Sequence, residues 1–345
     1  MGIWILGASG RIGSAVAAGL ASRGIEPVLV GRNPDKLPAG SVIAAGADQI
    51  AAEITRRRPT VVVNTIGDYA ASALTIARAG LPAGTHYVDV ANDLVALPRM
   101  LGAHDEAAAA GSTFVTGAGF GVLATEAVVA QLCEGRPAPS RVRVDALASV
   151  ATAGGVMGEG YAATILDVLT TGGRRIENGR LVPSRLGAGV QTLTPPDGTT
   201  VSSAEVPSGE LFAARAASNA PFVTVTSALA PTAPLARAAL PALSRLLSLA
   251  PMRRFAVSRL AGLSVKPAPR PRPHSWGHAV VEWPDGARRE GWLRAGDGMD
   301  YTAAVLTEAA VRLSRGEAKP GAYTPAAALG ADLAEAAGGE FLLDR

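Results

Sequence analysis

Three glycines stand in the run Gly7-Ala8-Ser9-Gly10-Arg11-Ile12-Gly13, between the apolar run Ile3-Trp4-Ile5-Leu6 and the small-residue stretch Ile12 to Ala21. A strand that enters a glycine turn and leaves it as a helix is a phosphate cradle. Gly7 permits the tight turn, Gly10 lets backbone approach a pyrophosphate, and Gly13 lets the helix pack closely. The N–H groups at the helix start then face the phosphates. The second apolar run ends Val30-Gly31-Arg32, without the acid that would bond a ribose 2′-hydroxyl. Arg32 suits a 2′-phosphate instead, with Ser9 or Arg11 placed to reach the same group. The cofactor expected is therefore NADP(H), held by Gly7, Ser9, Gly10, Arg11, Ile12, Gly13 and Arg32. Asn64, Thr65 and Gly67, at the end of the run Val61-Val62-Val63, are expected to contact it too.

Hydride delivery to an imine or a conjugated alkene leaves a site that needs a proton. Tyr69 and Asp68 follow the same strand, and Tyr161 opens a helix further on; these three are the candidate catalytic residues. Asp68 would serve equally well as a helix cap and Tyr69 as a packing ring. Tyr87 and Asp89 fall inside a strand and read as structural. His274 and His278 have helical spacing, but Pro273 and Gly277 argue against one helix face, so no metal site is expected.

These residues need a scaffold of strands that end side by side. Val28 to Val30, Val61 to Val63, Tyr87 to Val90 and Thr113 to Thr116 are short apolar runs. Alanine-rich helical stretches separate them, around Ile50 to Arg57, Ala70 to Ala79 and Ala103 to Ala110. That alternation predicts an α/β fold, a Rossmann doubly wound parallel sheet. Later residues change character. Val142 to Val150 alternates, Gly160 to Thr171 reads as a helix, and His278 to Leu293 reads as a hairpin around Pro284-Asp285-Gly286. Tyr301 to Leu313 and Pro325 to Ala336 are again helical. The expected division is 1–124 with 300–345 for the nucleotide domain, and 125–299 for an inserted α+β domain with a mixed open sheet.

The chain of 345 residues is 48% apolar and 18% charged, which excludes wholesale disorder. A net charge of +3 and only 4% aromatics argue against nucleic acid. A lone Cys133 excludes an internal disulfide. No apolar run is long enough for a membrane span and no secretory signal opens the chain, so the expected location is cytoplasmic.

Several motifs together resemble the saccharopine dehydrogenase-like oxidoreductases. They are the glycine turn, Gly31-Arg32-Asn33 with Lys36-Leu37, Val63 to Gly67, Gly84-Thr85-His86-Tyr87-Val88-Asp89, and His104-Asp105. Gly296-Asp297-Gly298, Tyr301-Thr302-Ala303 and Tyr323-Thr324-Pro325 look closest to the branch of trans-acting enoyl reductases. The likeness covers most of 1–135 and 275–345. It implies a Rossmann domain, an inserted domain that contributes to a homodimer, C-terminal helices that return to the first domain, and hydride transfer from NADPH. The sequence departs from the family at Gly119-Phe120-Gly121 and at Gly67-Asp68-Tyr69, where an acid or a proline is usual. The leading expectation is reduction of a conjugated C=C bond in a small-molecule or carrier-tethered substrate. C=N reduction follows closely, and a non-catalytic NADP-binding sensor or scaffold is the reading from another class.

Composition also marks one segment. Ser227 to Arg272 holds eight Lys and Arg and no Asp or Glu, interleaved with leucines and broken by Pro241 and Pro251. It reads either as a helical pair covering a sheet or as a docking face for an acidic carrier protein, a CoA-like phosphate or an anionic membrane surface.

Overall fold

The computed structural model describes residues 2–152, 154–156, 166 and 168–344. The chain divides into two compact units, Met1–Ala127 with Met299–Glu340, and Val128–Gly298 with Phe341–Arg345.

In the first unit the apolar runs become strands β1 (Ile3–Leu6), β2 (Val28–Gly31), β3 (Val42–Ile43), β4 (Val61–Asn64), β5 (His86–Asp89) and β6 (Thr113–Val115). Helices α1 (Arg11–Ala21), α2 (Gly46–Arg57), α3 (Tyr69–Ala79), α4 (Ala96–Leu101) and α5 (His104–Ala109) connect them. With Gly321–Tyr323 the strands form a seven-stranded sheet in the order Gly321–Tyr323, β6, β5, β4, β1, β2, β3. Neighbours pair in parallel throughout. β1 and β4 are buried at every position, which explains their unbroken apolar sequences. Trp4, Leu6, Val62, Phe114, Ile54 and Ile76 belong to one core cluster. The small residues of α1 serve close packing: a Cβ on Gly19 would stand 2.9 Å from the Thr307 hydroxyl.

Chain order reverses at β1, with β2 and β3 to one side and β4 to β6 to the other. The register aligns Val30, Leu6, Asn64 and Asp89 across the C-terminal edge of these strands. In open α/β sheets ligands bind where the order reverses, at the C-terminal strand ends.

The second unit carries a mixed nine-stranded sheet. Arg141–Leu147 lies at its centre, parallel to Phe222–Ser227 and antiparallel to Ser275–Glu282, which pairs with Arg288–Ala295 as the predicted hairpin. Glu210–Ser218 is one of its helices. The predicted helix from Gly160 to Thr171 falls mostly outside the described residues, as does Tyr161.

Three expectations change. The sequence reading kept 300–345 wholly in the first unit, but Glu340–Leu343 joins the second sheet beside Arg288–Ala295, and Asp344 N donates to Glu290 O at 3.1 Å. Leu342 packs with Leu147 and Trp276 there, a tertiary preference that so short a segment does not announce. Pro325 to Ala336 splits into Pro325–Leu329 and Leu333–Ala336, because Gly330 takes φ 88°. Pro241 does not break its helix and lies inside Pro234–Leu247; the break follows at Ser248, and Pro251 sits in the first turn of Ala250–Ala261, where its missing N–H costs nothing.

Candidate functional site

The glycine turn is built as a cradle. Gly7 takes φ 78°, its N–H donates to Val30 O at 3.0 Å, and Gly10 N donates to Gly7 O at 2.9 Å. A Cβ on Gly7 would meet the Thr65 hydroxyl at 2.8 Å, and one on Gly13 would overlap the Gly7 carbonyl and approach Ala8 Cα to 2.9 Å. Backbone therefore occupies the space that side chains would need. Gly10 caps α1 in an extended conformation and no side chain caps the helix. N–H groups at such a helix start suit an anion, as a dinucleotide pyrophosphate is. Ser9 is exposed on the turn, and Arg11 reaches the exposed Asp300 at 3.3 Å in the first turn of Gly298–Ser314.

Arg32 stands just past the tip of β2, exposed and without an ion pair among the described residues. Its neighbours are pinned. Asn33 Oδ1 accepts from Asp35 N at 2.9 Å, and Gly31 lies so close to Leu37 that a Cβ would meet Leu37 Cδ1 at 3.0 Å. These features hold the Arg32 guanidinium just past the tip of β2, on the edge where open α/β sheets bind ligands.

At the end of β4 the polar groups have internal partners. Thr65 Oγ1 donates to Leu6 O at 2.7 Å, tying β4 to β1 at the switch point. Asn64 is fully buried; its Nδ2 donates to Tyr87 Oη at 2.8 Å and its Oδ1 accepts from Ile66 N at 3.1 Å. Tyr87 Oη donates to Asp89 Oδ2 at 3.0 Å. Asp89 Oδ1 accepts from Thr116 Oγ1, Ala91 N and Gly117 N at 2.9, 3.0 and 3.1 Å. Burial pushes the Asp89 carboxyl up to about 6 despite those donors. This network joins the ends of β4, β5 and β6. Tyr87 and Asp89 are thus structural, as their place inside a strand predicts, and Thr116 joins them without any signal in the local sequence.

Gly67 at φ 82° and Asp68 at φ 48° form a left-handed step into α3. Asp68 is the N-cap by position, but its side chain makes no cap bond and is exposed. A non-glycine residue held in this region is a mark of functional loops. The Tyr69 hydroxyl is enclosed 3.4 Å from Asn64 O, and burial, then the Asp89 charge, drive its pKa far above the ordinary tyrosine value. Beside it a cavity of about 280 Å³ is lined by Tyr69, Leu74, Thr75, Arg78 and Arg99. The structure thus brings together Gly7 to Gly13, Arg32, Asn64, Thr65, Gly67, Asp68 and Tyr69 at one sheet edge.

The second unit holds its own buried polar cluster, which spacing did not reveal. His278 is stacked on Trp292 with centroids 3.8 Å apart, and it lies between Asp145 Oδ2 at 2.6 Å and Glu290 Oε1 at 2.9 Å. Thr226 Oγ1 donates to Asp145 Oδ1 at 2.6 Å. Despite burial, the two carboxylates raise His278 above its ordinary value, and His278 with Arg288 drops Glu290 to about 2.

Residues 3–115 match the family model described as the saccharopine dehydrogenase NADP binding domain. Among solved structures the chain is similar to apo saccharopine dehydrogenase (L-Glu forming) from Saccharomyces cerevisiae, with 13% identity, 100% of both chains covered and a TM-score of 0.59. It is also similar to an amine dehydrogenase from Mycobacterium smegmatis, with 13% identity, coverage of 94% of this chain and 95% of that one, and a TM-score of 0.48. A search of curated proteins finds no match. The structural likeness to the yeast enzyme shows the fold, and the family match shows the nucleotide. The protein is an NADP(H)-binding oxidoreductase whose residues 3–115 match the saccharopine dehydrogenase NADP binding domain.

Proposed function

We propose that the chain transfers hydride between NADP(H) and the carbon of a C=N bond in a small amine or imine substrate. One observation carries this reading. Among the described residues, the groups at the switch point suit a cationic acceptor better than one that must be protonated on carbon. Reduction of a conjugated alkene leaves an enolate that must take a proton on carbon. The Tyr69 hydroxyl is enclosed against Asn64 O, while the neighbouring Asp68 carboxylate is exposed and offers a negative charge to a cationic acceptor. An iminium already carries its proton on nitrogen, and the electron pair of the C=N bond ends there.

The nicotinamide, when bound, supplies the hydride. Backbone at Gly7, Gly10 and Gly13, with Ser9, Arg11 and Ile12, holds the pyrophosphate, and Arg32 holds the 2′-phosphate. Asn64 and Thr65 fix the loop that carries Gly67, Asp68 and Tyr69 through their internal bonds. The exposed Asp68 carboxylate keeps the imine protonated by its charge, and the neutral Tyr69 phenol donates a hydrogen bond. The name of the yeast enzyme, which forms L-Glu, agrees with C–N chemistry.

The C=C reading rests on tail motifs that resemble trans-acting enoyl reductases, and those side chains work inside the fold. Tyr301 Oη donates to Ala334 O at 2.9 Å, Thr302 Oγ1 accepts from Phe120 N at 3.0 Å, and Thr324 Oγ1 donates to buried Glu126. The deciding experiment supplies NADPH deuterated at C4 with either a 2-oxo acid plus an amine or an α,β-unsaturated ester. The expected label is on the amine-bearing carbon. Label found only on the β-carbon of the ester would overturn the C=N assignment.

A further inference from the structure

The helices Pro234–Leu247 and Ala250–Ala261 are apolar on a face that the protein does not cover. In the first, Arg237, Leu240, Ser244 and Leu247 turn inward at helical spacing, with Leu240 and Leu247 buried. The opposite face carries Leu235, Ala239, Leu243 and Leu246, all exposed, with Leu235 87% exposed. In the second, Met252, Phe255 and Arg259 share an outward face, and the Arg259 guanidinium lies 5.7 Å from the Phe255 ring centroid. Of fourteen large apolar side chains exposed among the described residues, eight fall between Leu229 and Leu263. Soluble surfaces scatter such residues singly, so this concentration marks an interaction face.

Charge identifies the occupant. No Asp or Glu occurs between Glu210 and Glu282. Arg245, Arg254, Arg259, Lys266 and Arg270 are exposed and make no ion pair among the described residues. The segment Ser227 to Arg272 carries +8 in a chain of net charge +3, which leaves −5 on the rest. An anionic plane would attract the five exposed cations of this segment, so charge adds to the apolar contact in binding it. Apolar side chains interleaved with cations on helices that bury little against their own protein are the pattern of interfacial helices, which lie in the headgroup layer without spanning it. No helix of the described residues is long and apolar enough to cross a membrane.

We propose that the helix pair 234–261 is a peripheral membrane-docking element that seats Leu235, Leu246 and Phe255 among lipid chains and Arg245, Arg254 and Arg259 against anionic headgroups.

The test is flotation of the full chain with phosphatidylcholine vesicles, alone or with about 30 mol% phosphatidylglycerol. The chain should float with the anionic vesicles only, and raising salt from about 0.05 to about 0.5 M should weaken binding. Each surface cation contributes roughly fivefold, so the combination Arg245→Glu, Arg254→Glu and Arg259→Glu should lower partitioning at least about a hundredfold. Leu235→Ser, Leu246→Ser and Phe255→Ser together should lower it about tenfold or more at unchanged charge. A far-UV circular dichroism spectrum and a melting transition equal to those of the wild type report that each variant is folded. Failure to float with anionic vesicles, equal binding to both vesicle types, or wild-type flotation of either folded variant would overturn the proposal; retention by an acidic protein without flotation would do so in favour of a protein partner.

Discussion

Replacing Arg32 with glutamate should convert the cofactor preference without disturbing the fold. The guanidinium is exposed and makes no ion pair among the described residues, so its removal should change stability by no more than about 0.5 kcal/mol. Its position is another matter. The backbone around it is fixed by the Asn33 side chain and by the contact of Gly31 with Leu37, so little ordering is needed when a phosphate arrives. A charge-assisted hydrogen bond to such a group is worth about 1.5–3 kcal/mol, roughly ten- to a hundredfold in affinity. Arg32→Glu loses that bond, adds repulsion toward the 2′-phosphate, and offers the ribose 2′-hydroxyl of NADH an acceptor. Fluorescence titration should show NADPH weakened by at least that factor and NADH unchanged or tightened. Arg32→Gln should fall between, and raising salt should narrow the gap between wild type and Arg32→Gln. An unchanged NADPH to NADH ratio in the glutamate variant would refute the assignment of Arg32 to the phosphate.

Other consequences are equally direct. Gly13→Ala forces a methyl into the Gly7 carbonyl, so NADPH affinity should collapse and unfolding should move by about 1–3 kcal/mol in calorimetry; wild-type affinity would show that the turn is not the cradle. Tyr69→Phe should lower kcat/KM about ten- to a hundredfold with little pH dependence and near-native NADPH affinity, whereas a loss that varies steeply with pH would make Tyr69 a true acid. Asp89 at about 6, Glu126 at about 7 and His278, also raised, all bind protons more tightly folded than unfolded. The stability they confer in mild acid is lost as pH climbs through those values, so Tm should fall between about pH 5 and about pH 8; a Tm that rises over that window would contradict the burial of these groups.

What could be read in the sequence was local. The cradle is a contiguous run in which each glycine answers a contact a few residues away, and the structure places it where the strand order reverses. The position of Arg32 was legible because it depends only on following β2. The residues Asn64 and Thr65 were legible as site-edge residues but not in their use, since their partners Tyr87 and Leu6 lie on other strands. Pro241 misled because proline propensity describes an average helix interior, and here the helix continues past it.

The buried networks show why the remainder was illegible. Asp89 gains its meaning from Thr116 and, through Tyr87, from Asn64, which come together only after β4, β5 and β6 pair in register. Asp145 and His278 are 133 residues apart, and only the antiparallel register of Arg141–Leu147 with Ser275–Glu282 sets them opposite each other. A one-residue slip would turn the imidazole to the other face of the sheet and leave Asp145 buried without its partner. Leaving one member of a buried charged pair alone costs about 3–5 kcal/mol, comparable with the whole stability margin of a domain. The cluster therefore selects the register more than it adds to affinity for any ligand, and register is the property that a single sequence encodes least visibly. The same reasoning separates the two units. In the first, Arg32 and Asp68 are exposed at strand ends and no side chain caps α1, while in the second the cluster around His278 satisfies itself.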